Sequence, residues 1–177
     1  STQPSLMAQM LEALDVRDGD AVLEIGAGTG YNAALLSHRL GSDHVVTVDV
    51  DPDLVAAAQG RLRQAGYDPT LVAGDGMAGY PQRAPYDRLL ATCGVPRIPA
   101  SWLEQLRPGG VIVANIGCGI ARLSTTADGG AVGQFLPGLA TFMTARPTPD
   151  AAGATAGSLV QPLLTWSDQT REITVPV

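Results

Sequence analysis

Residues 21–31 read AVLEIGAGTGY, a short apolar run that passes directly into glycines at every second position, Gly26, Gly28 and Gly30. Ala21 to Ile25 has the composition of a buried strand. Tyr31 to Leu40, with Ala33, Ala34, Leu35 and Leu36, reads as a helix that Gly41 stops. The glycines therefore sit at a strand-to-helix junction. Residues without Cβ permit a tight turn there and let a ligand reach the backbone, while the helix N-terminus favours negative charge.

Downstream the same alternation repeats. His44 to Val50 is a β-branched run suited to a buried parallel strand. Asp51-Pro52 supplies an N-cap and a proline at the first helical position, and that helix runs to about Ala65 before Gly66. Thr70–Ala73 and Tyr86–Thr92 read as further strands. Ser101 and Glu104 have the spacing of a capping box for a helix ending near Leu106, and Pro108-Gly109-Gly110 turns the chain into Val111–Ile116. Upstream, Leu6, Met10, Leu11 and Leu14 share one face of a helix over residues 5–15. Strands alternating with helices over short connections predict an α/β fold: a doubly wound, Rossmann-like, mostly parallel sheet flanked by helices.

Past Gly119 the rhythm changes. Residues 120–127 and 132–136 flank Asp128-Gly129-Gly130, a hairpin signal, and Leu139–Ala145 suggests another strand, so antiparallel strands are expected near the C-terminal end. Pro147 to Gly157 is rich in Pro, Ala, Gly and Thr and reads as a linker. Ile173–Val175 is strand-like but has no evident place in the order. The expected division is a ligand-binding domain over 1–146 and a loop with a C-terminal extension over 147–177.

Composition removes whole classes of chemistry. The 177 residues contain no lysine, which excludes Schiff-base chemistry and the lysine-bearing phosphate loop. His38 and His44 are the only histidines, too few for a histidine-rich metal centre, so no metal is expected. Cys93 and Cys118 match neither a disulfide framework nor a zinc spacing. A net charge of −6 with dispersed arginines argues against nucleic acid. The longest nearly apolar run, Val111 to Ala121, is shorter than a membrane span requires. These features predict a cytoplasmic protein with neither a membrane nor a nucleic-acid partner.

The glycine spacing narrows the ligand. A dinucleotide fingerprint places its third glycine or alanine where Tyr31 stands; here the glycine falls one residue early, at Gly30. A ligand without a pyrophosphate is therefore expected. Asp49, near the end of the second strand and nineteen residues past Gly30, can accept bonds from both hydroxyls of a ribose. Asp51 is the better helix cap. Asp75, in Gly74-Asp75-Gly76 at the same sheet edge, can accept from an adenine amine, with Gly76 and Met77 beside the ring. Glu24 precedes the loop and can hold an ammonium group directly or through water. Together these acids fit a cationic, amino-acid-bearing adenosine, S-adenosylmethionine.

At this point the sequence resembles the protein-L-isoaspartate O-methyltransferases. Leu23 to Gly30 is similar to the cofactor motif of class I methyltransferases generally. More specific are Thr2-Gln3-Pro4 followed by Leu6-Met7-Ala8, then Gly74-Asp75-Gly76, Ala84-Pro85-Tyr86-Asp87, Pro96 to Pro99, and Leu106 to Gly110. The resemblance implies cofactor contacts at Glu24, Gly26, Gly28, Asp49, Asp75 and Gly76. It also implies that the hydroxyl of Thr2, where serine is more usual, lies over the reacting carboxylate. The implied activity is methylation of an isoaspartyl or aspartyl residue in a protein or peptide, to an ester that can close to a succinimide. The resemblance runs to about Arg146, and the family's N-terminal helical region has no counterpart before Ser1. Phe135-Leu136-Pro137 and Phe142 to Arg146 are more similar to members associated with ribosomally made, modified peptides. Repair of aged proteins and modification of a dedicated precursor peptide thus stand side by side. A small-molecule methyltransferase and a non-catalytic cofactor-binding module are the remaining alternatives.

Overall fold

The computed structural model describes residues 3–146, residue 148 and the backbone of residues 172–175. Helix α1 (Pro4–Leu14) leads into strand β1 (Val22–Ile25), helix α2 (Tyr31–Leu40), strand β2 (Val45–Asp49), helix α3 (Pro52–Gln64) and strand β3 (Thr70–Ala73). Strand β4 (Tyr86–Val95), helix α4 (Ala100–Glu104), strand β5 (Leu106–Ile116) and the strands β6 (Gly119–Thr125), β7 (Ala131–Phe135) and β8 (Glu172–Val175) follow. They form one sheet in the order β3-β2-β1-β4-β5-β6-β7-β8. The first five of these are parallel and the last three are antiparallel to their neighbours.

Burial explains why the strands read as continuous apolar runs. In β1, alternate side chains enter opposite cores: Leu23 and Ile25 join Tyr86, Leu89 and Trp102 on one face, and Val22 joins Met10, Leu14 and Leu36 on the other. Helix α1 buries Met10 and Leu14 of the expected stripe together with Met7, while Leu6 and Leu11 are only partly buried against the same core. Asp51 caps α3, its carboxylate accepting from the N–H groups of Asp53 and Leu54.

Three expectations are corrected. Helix α4 begins at Ala100 after Pro99, and no side chain caps it; Ser101 instead donates to the carbonyl of Met77. The hydroxyl thus fastens a neighbouring turn rather than its own helix. Residues 139–145 form no strand: they make a strap across the sheet edge with a single bridge, Gly94 to Thr144. Strand β4 continues past Thr92 to Val95, because a register irregularity between Ala91 and Gly94 carries it onward beside β5. The unplaced patch near Ile173 is β8, paired antiparallel with β7. The expected linker at Pro147 to Gly157 lies outside the described residues, residue 148 apart.

Candidate functional site

The strand order reverses beside β1, which has β2 on one flank and β4 on the other. In a doubly wound sheet the crevice beyond the carboxyl ends of such strands is where ligands bind. A cleft of about 670 Å³ opens there. Its floor is Ile25 and Gly26 at the end of β1, Asp49 at the end of β2, Gly76 after β3, and Thr92 and Cys93 in β4.

The glycines divide the work between packing and access. A side chain at Gly30 would press on Ala58 and Leu62 of α3, at 3.2 and 3.3 Å, and the residue has φ +82°. Gly30 is therefore held by helix packing. At Gly28, φ is +50° and a Cβ would meet nothing within 4 Å, so this backbone is open to the cleft. Its N–H donates to Asp49 Oδ2 at 2.9 Å, while Asp49 Oδ1 accepts from the N–H of Asp51 at 3.2 Å. One carboxylate thus joins the loop after β1 to the turn after β2.

Asp75 sits beside Gly76, its Oδ1 accepting from the N–H of Met77 at 2.9 Å. That turn is clamped from below by α4 and its C-cap. Trp102 Nε1 donates to the Gly76 carbonyl at 2.8 Å, and the buried Gln105 both accepts from Tyr80 N–H and donates to the Ala78 carbonyl. A side chain at Gly76 would lie 2.5 Å from Ile25. Close approach of the turn to β1 therefore depends on this glycine.

Glu24 is wholly buried behind the floor, its Oε1 accepting from Asn32 Nδ2 at 2.8 Å. Burial pushes its carboxyl up to about 7, with a smaller contribution from Asp49 and opposing pulls from Asn32 and Thr47. The structure brings Gly26, Gly28, Asp49 and Gly76 together on the cleft surface. It places Glu24 and Gly30 behind that surface and Asp75 next to it. Thr2 lies outside the described residues.

Several contributors had no signature in the sequence. The register irregularity in β4 leaves Thr92 and Cys93 without partners on β5 and re-aims them toward the cleft. The hydroxyl of Thr92 donates to the carbonyls of Ile25 and Gly26. Burial, reinforced by Asp49, pushes the Cys93 thiol up to about 12, so it stays protonated and is no nucleophile at neutral pH. The far wall is the strap of residues 139–146. Asn115, wholly buried in β5, holds that strap by donating to the carbonyls of Gly119 and Ala140 and accepting from the N–H of Phe142. Gly94 and Ala145 complete the attachment, the N–H of Gly94 donating to Met143 and that of Ala145 to Gly94. Leu139 and Met143 remain 86% exposed on it.

The fold is of the class I methyltransferase type. A solved structure of an S-adenosylmethionine-dependent methyltransferase from Thiobacillus denitrificans, in complex with S-adenosyl-L-homocysteine, shares this fold. The TM-score is 0.52 and the identity 22%, over 63% of this chain and 48% of that one. The model of the protein-L-isoaspartate(D-aspartate) O-methyltransferase family matches residues 1–131, and the chain belongs to that family. A protein-L-isoaspartate O-methyltransferase from Methanopyrus kandleri is 47% identical over 117 residues, covering 64% of this chain and 52% of the relative. A solved protein-L-isoaspartate O-methyltransferase superposes with a TM-score of 0.72 at 33% identity, over 82% of this chain and 48% of that one. The chain thus spans about half the length of the relatives it matches.

Among the described residues no helix is long and apolar enough to cross a membrane, and no cluster of three metal-ligating side chains occurs.

Proposed function

We propose that this chain binds S-adenosylmethionine in the cleft and methylates a side-chain carboxylate, isoaspartyl or aspartyl, of a protein or peptide. The observation that carries the reading is the open face of Gly28 beside a tethered Asp49 at the end of β2. The arrangement leaves room against the backbone and offers an anionic acceptor to ribose hydroxyls. Asp75 and Gly76 would receive the adenine, and Gly26 the methionyl portion. When bound, the cofactor supplies a sulfonium methyl and a neutral thioether leaving group.

The remaining work falls to the chain. An acceptor carboxylate, with its pKa near ~4, is already ionised at neutral pH and needs no base. Of the acidic groups near the cleft, Asp49 is engaged by the N–H groups of Gly28 and Asp51, Cys93 holds its proton and Glu24 is shut behind the floor. Leu6, Leu54 and Phe142 line the cleft with apolar surface that displaces water from the reacting groups. Alignment of nucleophile, methyl and sulfur supplies the largest share of the acceleration. From the resemblance, Thr2 would donate to one carboxylate oxygen and leave the other free to attack. We place the protein in the cytoplasm, in keeping with Cys93 and Cys118, both free thiols.

A second reading, modification of one dedicated precursor peptide, is favoured by the strap. Phe142 to Arg146, the segment that resembles peptide-associated members, lines the cleft. Labelled cofactor offered with peptides carrying Asp, isoaspartate or Asn at one position tests both. Base-labile label on the isoaspartyl peptide alone supports repair. Label on a full precursor peptide but on no short peptide supports the dedicated partner, and no transfer to any carboxylate overturns the proposal.

A further inference from the structure

Beneath the glycine loop lies a set of polar side chains that forms no part of the cleft surface. Glu24 in β1 is the register partner of Thr47 in β2, and both are wholly buried. Strand alternation places both on the face occupied by Val22 and Val45, which packs with Leu36 of α2. Asn32, in the first turn of α2, is buried and donates to Glu24 Oε1. Glu24 Oε2, Thr47 Oγ1 and Asn32 Oδ1 make no hydrogen bond of good geometry, although the Thr47 hydroxyl lies near enough to Glu24 to pull its carboxyl down.

The bond between Asn32 and Glu24 joins the strand before residues 26–30 to the helix after them. It therefore spans the loop whose backbone faces the ligand. Asp49 is the charged group that bears on Glu24, and it raises the carboxyl further above its ordinary range. Among the described residues no arginine or histidine forms an ion pair with it. A buried carboxylate facing another negative group, with no cation beside it, favours the protonated form.

We propose that Glu24 is a proton-linked positioning residue, neutral while the cleft holds no cation and releasing its proton to solvent when a sulfonium nucleoside binds above it. The inference rests on the cofactor reading given above. A positive charge held within about 10 Å, where screening is weak, favours the ionised carboxyl. Asn32 then holds the ionised group, and with it the start of α2. S-Adenosylhomocysteine has nearly the same shape but lacks the sulfonium charge, and so displaces less of the proton.

Titration calorimetry between about pH 6 and 8, in buffers of different ionisation enthalpy, reads the released proton directly. The amino group of the ligand titrates alike against wild type and Glu24→Gln, so the difference between the two proteins is the readout. The expected result is proton release on S-adenosylmethionine binding to wild type in excess of that to Glu24→Gln. Affinity of the wild type should rise about three- to tenfold across the range relative to the variant. Equal proton release by both proteins, with binding intact, overturns the proposal and leaves the cofactor reading standing. Absence of binding by either nucleoside overturns both.

Carbon-13 labelling of the four glutamates, read by NMR in wild type alone, decides the matter even where the variant does not fold. The Glu24 carboxyl signal should titrate near neutrality in the free protein and shift to the ionised position with S-adenosylmethionine. A signal already ionised at about pH 5, or one that S-adenosylmethionine does not move, contradicts the assignment.

Discussion

The backbone N–H of Gly28 donates to the carboxylate of Asp49 across 2.9 Å, tying the loop after β1 to the end of β2. The same carboxylate accepts from Asp51, so its position is set from two directions before any ligand arrives. Such preorganisation makes Asp49 a loop anchor and suits the ribose-acceptor role proposed for it.

Replacing Asp49 by alanine removes both roles. Calorimetry should show S-adenosylhomocysteine binding weakened about tenfold to a hundredfold, the range expected for losing charge-assisted hydrogen bonds. Affinity within twofold of wild type would remove Asp49 from the site.

Gly30→Ala and Gly28→Val should separate stability from binding. At Gly30 the added methyl meets Ala58 and Leu62 at a positive φ, and urea unfolding should show a loss of about 1–3 kcal/mol. At Gly28 there is open space, so the valine is strained only through φ, but its side chain stands in the cleft. Cofactor affinity should fall far more than stability there. The reverse pattern would mean that the packing of the loop has been misassigned.

Glu24 gives a pH dependence with a definite sign. Its folded-state carboxyl, at about 7, lies above its ordinary value of 4.5, so the folded protein holds a proton that the unfolded chain has lost. The stability it contributes is complete below about pH 4.5 and is lost as pH rises through 7, on the order of 3 kcal/mol in all. Glu24→Gln lacks this term. Thermal melts of the ligand-free proteins should show wild type losing ground to the variant between about pH 5 and 8. A constant difference across that range would show that Glu24 does not titrate there.

Asn115→Leu should release the strap while leaving most of the sheet intact. Three hydrogen bonds from a wholly buried side chain are lost, including those to Ala140 and Phe142. A loss of about 2–4 kcal/mol is expected, with weaker cofactor binding and faster hydrogen exchange at Ala140, Phe142 and Ala145. Unaltered exchange at those amides would show that the strap is held by something else.

Thr2→Val tests the catalytic donor implied by the resemblance. Methyl transfer to an isoaspartyl peptide should slow about tenfold to a hundredfold with cofactor affinity unchanged. An unchanged rate would exclude the role.

Much of this was legible in the residues because local chemistry and global fold agree. Tyr31–Leu40 and Thr70–Ala73 have the same limits in sequence and structure, and Asp51-Pro52 caps its helix as its type requires. What escaped depends on partners distant in the chain. Ser101 has capping-box spacing, yet Met77, twenty-four residues earlier, takes its hydroxyl. Asn115 looks like one polar interruption in an apolar strand, and only the fold shows that it carries the strap. The cleft itself was half visible. Gly26, Gly28 and Asp49 stand on the cleft surface and Gly30 behind it, whereas Thr92 and Cys93 reach the cleft through a register irregularity that no local pattern specifies.

The proposed function places a nucleoside across the carboxyl ends of β1, β2 and β3. Titrating nitrogen-15-labelled protein with S-adenosylhomocysteine tests it residue by residue. Saturable shifts are expected to concentrate at the amides of Gly26, Gly28, Val50 and Gly76. Saturation without movement of those amides, or shifts confined to another surface, would contradict it.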